Sequence, residues 1–381
     1  MNSVKHIALL ALVALLLCTG FPAFAQSHAD ADTLLLEAGK LMYKDPAKSA
    51  TIALQVYEDS GNNKEQQILS LILASNAYFS MKDSKEAKKY AFKALALAEK
   101  NNDYVNQVKV YGLIGNHYQV LKLNEKARFY LGKAEAIMQK HALPNDMRYL
   151  KGNIFAVKGN SYKNDLDCDF AITYFDKAIH EFKQATNTSA VNNLNMVQVQ
   201  KGFCVLEKQL PNEAAAIFTN VLATPSAPKV YDIWVYAKIG LARSYYLQKN
   251  YAAAVAQLND ALEKNKSQDN VTIEHELYRN LSANYLQLND DARYKLYNTL
   301  YHQTFKEVND DETQLFSHLI NEVSADAEIK IAEEHNTHRT YFIGLILIGL
   351  LAVVIPGIIV YKKQKKVSNL KKALFRKSLN R

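Results

Sequence analysis

Four stretches of this chain carry the same order of small, aromatic and polar positions. They are "LASNAYFSMKDSKEAKKYAFKALALAEK", "LIGNHYQVLKLNEKARFYLGKAEAIMQK", "VKGNSYKNDLDCDFAITYFDKAIHEFKQ" and "GLARSYYLQKNYAAAVAQLNDALEKNK". Aligned on the tyrosines Tyr78, Tyr118, Tyr162 and Tyr245, each has a small residue three positions earlier: Ser75, Gly115, Gly159 and Ala242. Nine positions after each tyrosine stands an alanine (Ala87, Ala127, Ala171, Ala254), and seven further on another (Ala94, Ala134, Ala178, Ala261). A seven-residue spacing puts both alanines on one face of a helix. A small residue lets two antiparallel helices approach closely. The tyrosine is expected to fill the gap beside it. Polar residues and breakers, as in "MKDS" and "KNDLD", mark the turn within each pair.

This pattern resembles the tetratricopeptide repeat (TPR), which has a small residue, an aromatic and alanines at these offsets. The resemblance covers about residues 30–305. It implies an all-α fold: a TPR α-solenoid of about seven helical hairpins. Two weaker copies flank the centre, "LLLEAGKLMYKDPAKSATIALQVY" and "LYRNLSANYLQLNDDARYKLYNTLY", the second with Tyr294 in place of the first alanine. The copy around Gly202 keeps Ala214 and Phe218 but has Val205 where the tyrosine stands elsewhere. Degenerate outer copies suit the caps of a solenoid. The small residues are 40, 44, 43, 40 and 40 apart from Ser75 to Ser282, longer than the family's usual period. HEAT-type repeats have such periods but lack this glycine–tyrosine–alanine spacing.

The ends are different. Residues 341–361 form an uncharged run of 21 residues, long enough for a helix to cross a bilayer core. Residues 1–25 carry Lys5, an apolar core and Ala23-Phe24-Ala25, the pattern of a secretory signal peptide. Residues 362–381 hold nine Lys or Arg and no acid. Of the formal net charge of +8, residues 1–25 supply +1 and residues 362–381 supply +9, which leaves −2 for everything between. The basic balance is therefore a positive-inside signal beside one span, and nucleic acid is not an expected partner. The expected order is signal peptide 1–25, TPR array 26–305, juxtamembrane helix 306–340, transmembrane helix 341–361 and basic cytoplasmic tail 362–381. Within 306–340, Phe316, Ile320, Val323, Ala327 and Ile331 make one helical stripe. The body is expected outside the cytoplasm, periplasmic in a Gram-negative host, with the chain a single-pass membrane protein.

No catalytic constellation is visible: no zinc-protease HExxH, no phosphate-binding glycine loop, no nucleophile elbow. An enzyme is not expected, nor a cofactor, nor a metal. His335 and His338 alone make a weak ligand pair on a solvated helix. Cys168 and Cys204, downstream of the signal, admit either a disulfide or two unpaired thiols.

One position is sharper. Asn76, Asn116 and Asn160 directly follow the small residue in three successive copies. The resemblance places that position on the concave groove. A ladder of carboxamides both donates and accepts, as the backbone of an extended peptide requires. The same asparagine can instead bond a neighbouring helix. Phe79 and Lys163, three residues further along, are expected to line the same face. The expected partners are a protein or peptide in the groove, the membrane through 341–361, and a cytosolic regulator at the tail. The expected function is a membrane-anchored sensor or co-receptor, with a static scaffold for envelope complexes as the other use. The arrangement is similar to bacterial transmembrane TPR regulators lacking the cytoplasmic output domain.

Overall fold

The computed structural model describes residues 23–185, 188–225, 230–268 and 270–309, together with Lys362. Two compact units divide the chain, Met1–Leu319 and Ile320–Arg381, and the described helices belong to the first. The expected signal segment before Ala23, most of the juxtamembrane helix, the membrane span and the basic tail after Lys362 lie outside the described residues. No helix among the described residues is long and apolar enough to cross a membrane.

The described helices are α1 (Ala23–Leu41), α2 (Pro46–Asp59), α3 (Lys64–Ser80), α4 (Ser84–Lys100), α5 (Tyr104–Val120) and α6 (Asn124–Lys140). They continue as α7 (Arg148–Asn164), α8 (Cys168–Gln184), α9 (Thr188–Glu207), α10 (Pro211–Leu222), α11 (Tyr231–Leu247), α12 (Tyr251–Asn265) and α13 (Val271–Gln287). Residues 291–309 form α14. Taken in pairs these are seven hairpins, including the two degenerate outer copies and the one that lacks the tyrosine.

Local chemistry sets the boundaries. Asp45, Asn63, Asp83, Asp103, Asp167, Asn250 and Asn270 each accept the backbone N–H three residues on and so cap a helix start. From the second hairpin to the seventh, the internal turn passes through one non-glycine residue in the left-handed region. These are Lys82, Lys122, Leu166, Gln209, Lys249 and Asn289, with φ between 56° and 62°. The conformation satisfies the last carbonyls: Asp83 N–H donates to Tyr78 O and Lys82 N–H to Phe79 O, both at 2.9 Å.

The alanines behave as their spacing requires. All eight of the four aligned copies are at most 1 % exposed. What fills the space beside the small residue is different from expectation. It is a second-helix side chain 16 positions on: a Cβ added to Gly115 would stand 2.6 Å from Leu131, on Gly159 2.5 Å from Phe175, and on Gly202 2.7 Å from Phe218. Four of the repeat tyrosines pair instead with an aromatic 12 positions on, whereas Tyr245 has Gln257 there. Tyr78–Tyr90, Tyr118–Tyr130, Tyr162–Tyr174 and Tyr285–Tyr297 stack with centroids 5.3, 5.6, 5.5 and 5.6 Å apart. The reason is direction. Three residues further along the first helix, the ring has moved round the helix from the small residue and meets the partner helix nearer its start.

Successive hairpins stack through their first helices: α3 meets α5, α5 meets α7, and so on to α11 with α13. Second helices of neighbouring hairpins have no comparable contact among the described residues. The first helices therefore form a continuous layer, and that layer carries the positions singled out in the sequence.

Candidate functional site

Asn76, Asn116 and Asn160 sit half-buried on α3, α5 and α7 of the first-helix layer. They are not equivalent. Asn76 faces His117 of the next hairpin, its Oδ1 lying 3.2 Å from the ring Nε2. His117 is 7 % exposed, and burial pushes its pKa down to about 3, so the imidazole is neutral. A neutral ring bonded to a carboxamide oxygen carries its proton on Nε2, and Nε2–H donates. Phe79 stacks face to face on the same imidazole, centroids 4.0 Å apart and planes 3° from parallel. Asn76, Phe79 and His117 thus form one wedge between α3 and α5. The bond to Asn76 is the neighbouring-helix bond that the sequence left open for this position.

Asn116 and Asn160 make no hydrogen bond to a described residue. Lys163, one turn from Asn160, donates from Nζ to Gln200 Oε1 at 2.6 Å and lies 5.4 Å from the Phe203 ring centroid. Burial lowers its pKa below the usual lysine value. Its charge is held inside the layer by α9 rather than projected from it.

The sequence did not single out the far end of the layer. A cleft of about 330 Å³ opens between α9, α11 and α13, lined among others by Glu207, Arg243, Tyr246, Arg279, Asn280 and Asn284. Arg243 pairs with Glu207 at 3.3 Å, and Arg279 with Glu276 at 2.8 Å. Asn284 is 2 % exposed and donates from Nδ2 to the backbone oxygen of Asn280 at 2.8 Å. Its own Oδ1 is buried with no donor. Leaving such an acceptor unmet costs about 1–3 kcal/mol. The repeat alignment contains the signal for these positions. Arg243 follows Ala242 as Asn76 follows Ser75, and Asn284 stands two after Ser282 as His117 stands two after Gly115.

No protein-family model matches the sequence, and no curated protein does. Solved structures do match in fold. The apo form of RapI is 13 % identical, with 77 % of this chain and 86 % of that one covered, at a TM-score of 0.57. A signal-transduction ATPase with numerous domains and a tetratricopeptide-repeat sensor, from Pyrococcus horikoshii, is also 13 % identical at a TM-score of 0.54. There 79 % of this chain covers 49 % of the other, so the chain spans about half of that protein's length. The described unit is an all-α solenoid with the tetratricopeptide-repeat fold.

Proposed function

We propose that this protein is a membrane-anchored interaction module whose first-helix layer binds an extended segment of another protein. The observation that carries the reading is unused hydrogen-bonding capacity on that layer, at the half-buried Asn116 and Asn160. Carboxamides of this kind match the alternating N–H and C=O of an extended backbone. Each such bond contributes only about 0.5–1.5 kcal/mol, so apolar contacts along the layer must supplement them. The uncharged run 341–361 and the basic residues after it support an exported body held by one membrane helix. A ligand on the body would be sensed through a separate cytosolic partner at the tail.

The binding test places a photo-crosslinking residue at Asn160, and a second, as control, at exposed Lys183 on α8. Irradiation of intact cells is expected to join a protein to the chain from position 160 and not from position 183. Equal labelling from both, or none from 160, overturns the reading. A cytosolic regulator recovered with the tail supports a sensor; recovery of envelope proteins alone supports a scaffold. Replacing Asn116 and Asn160 together by alanine should weaken capture with a change in melting of no more than a degree or two. Asn76→Ala should instead cost about 1–2 kcal/mol of stability, because it strands the buried His117 N–H.

The membrane part has its own test. A reporter active only outside the cytoplasm should work when inserted at residues 306–312 and fail when fused after Arg381. The opposite pattern removes the exported placement while leaving the binding layer intact.

A further inference from the structure

The first helices of the fourth, fifth and sixth hairpins, α7, α9 and α11, carry seven lysines and arginines. Six of them have a carboxylate within 4.0 Å: Arg148 and Lys151 meet Glu181, Lys158 meets Glu135, Lys201 meets Asp176, Lys238 meets Asp260 and Arg243 meets Glu207. Lys163 has none among the described residues. Its Nζ donates to Gln200, and the other two N–H groups of the ammonium meet no acceptor among the described residues. Phe203 of α9 stands where the earlier copies have Asn76, Asn116 and Asn160, one place after the small residue. Its half-buried ring is approached by two cations, with Lys163 Nζ 5.4 Å and Arg243 Cζ 5.7 Å from the centroid. A ring attracts a cation through its quadrupole but leaves the charge unneutralised.

Resting on the reading that the first-helix layer binds an extended segment, we propose that Lys163, beside Phe203, holds an aspartate or glutamate side chain of that segment. Charge complementarity selects this occupant. A half-buried ammonium has lost part of its hydration, and a carboxylate replaces it with a bond between two ionised partners, roughly twice as strong as a neutral one. The place of Lys163 in the array decides which carboxylate. It sits in the fourth of seven hairpins, and the first helices continue in contact from α3 on one side to α13 on the other. A segment lying along them passes Lys163 in mid-chain, so the acid is a side chain and not a chain end. Burial, which lowers the Lys163 pKa, acts in the same sense: the charged form lacks stabilisation that an anion supplies.

The test uses the full chain in detergent micelles and pools of synthetic peptides of about ten residues, each residue adding roughly 3.3 Å when extended. Both peptide ends are blocked, by acetylation and amidation. In each pool one position is fixed as Asp, Glu, Asn, Gln or Lys and the others are randomised. At one position the acid-fixed pools are expected to bind about tenfold more tightly than the amide-fixed pools. Lys163→Gln keeps an N–H for Gln200 and should lower that preference to less than about twofold. Lys163→Glu should transfer the preference to the Lys-fixed pool at the same position. Lys183→Gln, on the exposed side of α8, should leave it intact. Helical circular dichroism and melting establish that each variant is folded.

An acid preference that survives in folded Lys163→Gln overturns the assignment of the acid to Lys163. So does a preference for a free C-terminal carboxylate over its amide with none for an internal acid, measured with the same pools left unblocked at that end. Equal binding of acid-fixed and amide-fixed pools at every position overturns it while leaving the binding layer in place. Absence of binding by every pool removes the layer and the acid site together. The comparison of pools on the parent chain needs no variant to fold.

Discussion

Replacing Phe218 by alanine is expected to cost about 3–5 kcal/mol and to split the unfolding transition of the array. Phe218 on α10 is fully buried. Its ring lies against Gly202 of its own hairpin and against Gly240 of the next, where an added Cβ would stand 2.2 Å from it. Phe203 meets it edge-on with centroids 5.3 Å apart. One side chain therefore joins the fifth hairpin to the sixth. Because stability in a repeat array passes between neighbours, the loss should be local. Amide exchange should accelerate across residues 188–265 and change little across α3 to α6. A uniform loss of protection along the whole array would refute this account. The glycine supplies a second check. Gly240→Ala should be strongly destabilising in the parent chain and far milder in the Phe218→Ala background, because the atoms it collides with are gone.

Acidification is expected to weaken the second and third hairpins through His117. The unfolded imidazole titrates near 6.5, and in the folded chain burial holds it down at about 3. Between those values the unfolded chain binds a proton that the folded chain does not, so stability falls as pH falls. Above pH 6.5 the effect is absent. Below it the slope approaches about 1.4 kcal/mol per pH unit, which amounts to roughly 2 kcal/mol between about pH 7.5 and pH 5. Urea midpoints measured over that range should show the decline. His117→Gln keeps a side-chain N–H for Asn76 and cannot titrate, so its curve should stay nearly flat until the carboxylates begin to protonate. If the variant and the parent fall together, His117 is not the cause.

Much of the architecture was legible in the sequence because it depends on short-range spacing. A residue that must be small and alanines seven apart report how closely two helices of one hairpin approach. The pattern recurs often enough that even Val205 in place of a tyrosine did not hide the fifth hairpin. The candidate site was legible only in part. Asn76, Asn116 and Asn160 look alike in the sequence, but His117 takes the first and no described residue bonds the other two. The role assigned to the tyrosine was displaced for a similar reason. Its direction depends on how far the first helix has rotated past the small residue, and the ring meets an aromatic 12 positions on.

Sequence alone was enough for the number of repeat helices among the described residues, their pairing into hairpins and the buried face of each second helix. These follow from periodicity within about 30 residues, where helix geometry leaves little freedom. The stacking of one hairpin on the next decided the rest. Asn76 with His117 and Lys163 with Gln200 are separated by 41 and 37 residues. The repeats themselves are 40 to 44 residues apart, so partners do not fall at one constant offset. Which side chains meet depends on the length of each connection and on the bulk held between the first helices. That is why an orphaned carboxamide oxygen and a neutral histidine emerged only when the hairpins were stacked.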